Sequence, residues 1–163
     1  MASWIVAHNT FSPLGFTSQQ NYAAVQAGNS AIKKNEAGQS VSTIDREILP
    51  PFSFEKKTRF GYTFFEELLI RSVSGALSFS SVDPTSDRVV FILSTTKGNI
   101  ELLGREHRSE QLLLNYSASV VANYFNNPNT PVVVSNACIS GIMAMLVAKR
   151  LLESGKYDHA IVM

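Results

Sequence analysis

The chain has 163 residues, 45% of them hydrophobic and 17% charged, with a formal net charge of +1 and a single cysteine. That length holds one ordinary domain with a real core and excludes two comfortable ones. The near-zero charge and scattered basic residues argue against a nucleic-acid partner, and one cysteine excludes an internal disulfide framework and fits a reducing compartment.

The apolar fraction is higher than the size requires, which predicts either deeply buried elements or an uncovered face waiting for a partner. The opening MASWIVAHNTFSPLG lacks the basic start and long apolar core of a secretion signal. No apolar run approaches the roughly 20 residues that span a bilayer. A soluble, cytoplasmic protein is expected.

WIVAH, residues 4–8, is a β-branched run closed by NTFSPLG, and it predicts a first strand followed by a turn. Thr17 or Ser18 can cap a helix whose apolar positions are Tyr22, Ala24 and Val25, and Gly28 is placed to end it. Residues 29–57 show no sustained period and hold Pro50 and Pro51, so they read as a long irregular excursion. From Thr58 the pattern predicts a helix, with Phe60, Phe64 and Leu68 in one row, Phe65 and Leu69 in the next, and Val73 and Leu77 continuing the stripe. The aromatic part of that stripe reads as core and not as a channel.

SVDPTSD breaks the helix, RVVFILST (residues 88–95) is a mostly apolar strand, and TKGN is a turn. The charged GREHRSE leads into QLLLNYSASVVANYF, helical by the spacing of Leu113, Tyr116, Val120 and Tyr124. After the loop NNPNTP come a strand, VVVS, a helix over 139–154 ended by Gly155, and a strand, HAIVM. There is no internal repeat.

Strands alternating with helices predict an α/β fold with a mainly parallel sheet and right-handed crossovers. Val132–Val134 is apolar without alternation, which predicts a strand buried on both faces. The helix after Cys138 carries Ile139, Ile142, Met143, Met145, Leu146, Val147 and Ala148, with no polar face before Lys149 and Arg150, and it predicts burial on every side. One chain of this length hardly supplies two layers of sheet to bury it, so a missing layer is expected.

Cys138 is the candidate nucleophile. It stands where a valine strand turns into a helix, and Ala137, Ser140 and Gly141 are small enough to allow a sharp bend. Unpaired N–H groups and the positive end of the helix dipole favour a thiolate at such a place, and the Cys138 N–H is itself a candidate oxyanion donor. The plainer reading is a small buried hydrophobe, the usual fate of a lone cysteine. The small-residue turn between strand and helix favours the nucleophile.

VSNACISGIMAMLVAKRLLESGKYDHAIVM resembles the nucleophile segment of the β-ketoacyl-acyl-carrier-protein synthases, condensing enzymes of the thiolase superfamily. IVAHNTFSPLGFTSQQNYAAVQAGNSAI is similar to that family's opening, including the turn Gly28-Asn29-Ser30, and RVVFILSTTKGNIELL takes the place of its Gly-rich strand end, departing from it at Thr95-Thr96-Lys97.

The resemblance covers the whole chain and implies the N-terminal half of a layered αβαβα thiolase-like fold, residues 1–163 forming one N-terminal domain without its C-terminal half. It further implies a decarboxylative Claisen condensation in fatty-acid or polyketide-type synthesis, with Cys138 taking the acyl group. The substrates would ride on the phosphopantetheine of an acyl carrier protein, with no bound cofactor or metal, and a homodimer would form through the strand near Val132–Ser135. Two further family residues, usually histidines, lie in the second half, so the chain alone should not condense anything.

The histidines present, His8, His107 and His159, stand at no metal-ligand spacing and are not expected to replace them. Lys97 beside Gly98 is a weak candidate for a phosphate contact. Two rival readings remain: a thiolase-like coenzyme-A condensing enzyme, which SPLG disfavours, and a non-catalytic partner half-domain, which the retained cysteine disfavours.

Overall fold

The run VVFILS, apolar without alternation, forms the middle strand of a three-stranded parallel sheet and is the most deeply buried segment of the chain. A computed structural model describes residues 3–54, 56, 58–104 and 109–163.

In chain order the elements are α1 (Ser18–Gln26), a two-residue hairpin of β1 (Lys33–Lys34) and β2 (Ser40–Val41), a 3-10 turn at Arg46–Ile48, and α2 (Phe64–Leu77). Then follow β3 (Val89–Ser94), two 3-10 turns at Ile100–Leu102 and Ser109–Leu112, and α3 (Leu114–Tyr124). β4 (Val132–Val134), a 3-10 turn at Ala137–Ile139, α4 (Ser140–Glu153) and β5 (His159–Val162) complete the fold.

The sheet order is β4-β3-β5, all parallel, with Ser94 opposite Val134 and Val89 opposite His159. Side chains of a strand alternate between faces, and β3 shows what each face meets. Val89 and Phe91 pack with Ile70 and Val73 of α2 and with Val121 and Ala122 of α3. Val90 and Ile92 pack with Ala144 and Ala148 of α4. The α/β class and the parallel sheet are therefore as the sequence predicts.

Four local expectations are corrected. Residues 4–8 form no strand: Trp4, Ile5 and Val6 are exposed, and among the described residues no strand pairs with them. Asn9 ties this segment to α2, its amide donating to Ser72 Oγ at 3.2 Å. β4 is half-buried rather than buried on both faces, because it is an edge strand with β3 on one side only.

α2 starts at Phe64 and not at Thr58. Gly61 is left-handed (φ +73) and closes a turn, and Thr63 then caps the helix in a capping box with Glu66. Finally, α4 is buried on one face only: Ser140, Ala144 and Ala148 are covered, while Ile142 is 65% and Met145 50% exposed.

Two helices also present a different face from the one their spacing suggests. α3 buries Ser117, Ala118, Val121 and Ala122, small residues that let the helix approach closely, instead of the row through Tyr116, Val120 and Tyr124. α1 buries nothing, and Tyr22 and Val25 on it are exposed. No helix among the described residues is long and apolar enough to cross a membrane.

Candidate active site

β3 leads to α3 on one face of the sheet, and β4 leads to α4 on the opposite face. Two neighbouring parallel strands whose connections leave to opposite sides open a crevice at their carboxyl ends, the usual ligand position in open α/β sheets. Cys138 lies there, four residues past Val134, and the turn Thr95–Gly98 follows Ser94 on the adjacent strand.

The corner is built from short polar contacts. Cys138 sits in the 3-10 turn Ala137–Ile139, one turn ahead of α4. Ser140 Oγ accepts the Asn136 N–H at 2.7 Å and donates to the Ala137 carbonyl at 2.8 Å. Ala137 is left-handed with φ +46, a conformation that costs a non-glycine residue roughly 1–2 kcal/mol. Such strain, held by surrounding bonds, clusters at functional positions. The thiol of Cys138 is exposed, so the inert-core reading is wrong for this chain.

Gly141 carries less weight than its sequence position suggests. A side chain there would meet nothing within 4 Å, so the bend rests on Ala137 and Ser140. Across the crevice Thr95 Oγ1 accepts the amides of Lys97 and Gly98, at 3.2 and 3.1 Å. Gly98 is left-handed (φ +53), which favours glycine, and a Cβ on it would stand 2.7 Å from Leu114 Cδ2, so the leucine side chain would have to shift. Lys97 is exposed at this turn.

The described histidines are not brought to Cys138. His159 opens β5 opposite Val89, at the amino end of the sheet, and His8 shares a 2.9 Å hydrogen bond with Ser18 near α1. His107 lies outside the described residues. Among the described residues no group of three or more His, Cys, Asp or Glu side chains is placed to hold a metal. A cleft of about 320 Å³ opens beside α3, lined by Lys56, Thr58, Tyr62, Tyr116 and Tyr124 among others, and does not include Cys138. Burial, then the nearby Tyr124 and Glu66, raise the Tyr62 hydroxyl above its usual range.

Sequence reasoning missed a buried polar cluster next to the Thr95–Gly98 turn: Glu66, Asn99, Gln111 and Ser117 are each 1% exposed or less. The capping-box spacing Thr63-x-x-Glu66 was the one available signal.

No protein-family model matches the sequence, and no curated protein matches it. Several solved structures do, two of them as follows. One is the ishigamide ketosynthase/chain length factor, at a TM-score of 0.71 and 21% identity over 94% of this chain and 49% of that one. The other is a beta-ketoacyl synthase from Burkholderia phymatum STM815, at 0.71 and 20% over 94% of this chain and 44% of that one. The chain thus has a ketosynthase-like thiolase fold and spans about half the length of the structures it matches.

Proposed function

We propose that the chain is the N-terminal half of a β-ketoacyl synthase and that Cys138 is its acyl acceptor. The observation that carries this reading is an exposed thiol at the strained strand-to-helix corner of a ketosynthase-like fold, at the carboxyl ends of two parallel strands.

In the proposed reaction the Cys138 thiolate attacks the carbonyl of an acyl thioester on a carrier protein, and the carrier's thiolate leaves. Malonyl-carrier protein then loses carbon dioxide, and the resulting carbanion attacks the acyl-cysteine. The Cys138 thiolate departs, leaving a β-ketoacyl product on the carrier. The first N–H groups of a helical turn lack intrahelical acceptors and suit the oxyanion formed in each attack.

Decarboxylation and enolate stabilisation need groups that the described residues do not bring to Cys138, so a second half would supply them. The exposed apolar face of α4 suits such a layer, and the open edge of β4 suits the proposed homodimer. The test is acyl transfer to the 163-residue chain. Incubation with an acetyl N-acetylcysteamine thioester should add one acetyl group to Cys138 by intact mass, and Cys138→Ser should add none. Equal acylation of both proteins, or of neither, would sink the reading.

A further inference from the structure

We propose that Glu66, acting through Asn99, positions the turn that walls one side of Cys138. The inference rests on the reading of Cys138 as the acyl acceptor and adds to it a positioning residue on a different element, α2.

Glu66 is completely buried, and among the described residues no lysine, arginine or histidine pairs with it. Its Oε2 accepts the Thr63 N–H at 3.0 Å, which completes the cap of α2. A glutamine would serve a capping box equally well. The other oxygen is what a glutamine could not supply at the same time. Oε1 accepts from Asn99 Nδ2 at 2.9 Å and from Ser117 Oγ at 3.1 Å.

Asn99 is held from every side. Its Nδ2 also reaches the Gln111 carbonyl and Ser117 Oγ, both at 2.9 Å, and its Oδ1 accepts from Thr63 Oγ1 at 2.6 Å. It follows Gly98 directly, at the end of the turn bound to Thr95 Oγ1. Because Ser94 is paired with Val134, and neighbouring strands lie about 4.8 Å apart, that turn and the Asn136–Cys138 corner leave the sheet side by side. A shift of Asn99 is therefore transmitted to the wall beside the sulfur and not to the corner itself, which Ser140 holds separately.

The experiment compares two thiol reagents on Cys138, iodoacetamide and the bulky N-(1-pyrenyl)maleimide, and reads the ratio of their rates in the folded 163-residue chain. Releasing the wall should raise the bulky-to-small ratio. Glu66→Gln, which puts an N–H where one of its donors needs an acceptor, and Asn99→Ala should each raise it about threefold or more, since ångström-scale displacements near a reacting group change rates strongly. Ser117→Ala removes a donor from the same carboxylate and one acceptor of Asn99 but leaves the Glu66–Asn99 bond, and should raise the ratio less than either of the other two variants.

If Glu66→Gln does not fold, Glu66→Asp replaces it, keeping the carboxyl group while falling one methylene short of Asn99. An unchanged ratio in either the Glu66 or the Asn99 variant, or an equal rise in Ser117→Ala, overturns the proposal. Failure of the unmodified chain to accept an acetyl group defeats the acyl-acceptor reading alone, because the reagent ratio requires no acyl transfer.

Discussion

The hydroxyl of Ser140 holds the amide of Asn136 at 2.7 Å, across the turn that carries Cys138. The same oxygen donates to the Ala137 carbonyl, so one buried side chain closes both ends of the corner. Removing it leaves the Asn136 N–H without its partner, while the Ala137 carbonyl keeps the Ser140 backbone N–H. Ser140→Ala should lower stability by about 1–2 kcal/mol, read as a shift of the urea midpoint at constant slope. An unmoved midpoint would mean that the strand and helix ends hold the corner alone.

Ala137 tests the backbone of the same turn. At φ +46 it occupies a region that glycine enters freely and a β-branched residue hardly at all. Glycine relieves the strain but adds unfolded-state entropy, so Ala137→Gly should change stability by no more than about 1 kcal/mol, in the stabilising direction. Ala137→Val should cost about 1–3 kcal/mol. The two variants, compared in one urea series, must fall on opposite sides of the parent chain.

Where a signal is local, the sequence conveys it. VVFILS reads as a buried strand because it lacks alternation, and β3 is that strand. Gly28 and Gly155 are both left-handed, just past the ends of α1 and α4, as helix-ending glycines should be. What a segment packs against is not local. Val132–Val134 has the composition of a doubly covered strand yet stands at the sheet edge, and WIVAH has β-branched residues but no neighbouring strand among the described residues.

The site divides in the same way. Cys138 could be picked from the strand-to-helix corner. Glu66 could be picked only as a helix cap and Asn99 not at all, since the two are 33 positions apart and meet only because α2 and the loop after β3 converge.

Arg88 and Asp158 join the loop before β3 to the start of β5 by two hydrogen bonds, 3.1 and 2.7 Å long. The Arg88 guanidinium, chiefly through these bonds, holds the Asp158 carboxyl below the usual aspartate range. A carboxyl whose folded pKa is depressed contributes stability that is present above its unfolded pKa, about 3.9 for aspartate, and is lost as pH falls through the folded value. The contribution is small because both groups are exposed and screened. Asp158→Asn should therefore flatten the acid end of the stability profile below about pH 4 and leave the neutral region nearly unchanged. A parallel downward shift at all pH values would show that the side chain acts by packing instead.

α4 separates what this chain buries from what it leaves open. Ala144 is wholly covered and packs with Val90 and Ile92, so Ala144→Leu forces extra volume into a filled space and should cost about 1–3 kcal/mol. Ile142 and Met145 lie on the opposite face of the same helix, 65% and 50% exposed. The pair Ile142→Lys and Met145→Glu should leave stability within about 0.5 kcal/mol, although in sequence these positions look as apolar as Ala144. If the open face drives association, the charged pair should also shift the chain toward monomer in sedimentation. A loss of several kcal/mol from the charged pair would mean that α4 is covered within this chain after all. The face could then not receive a second half.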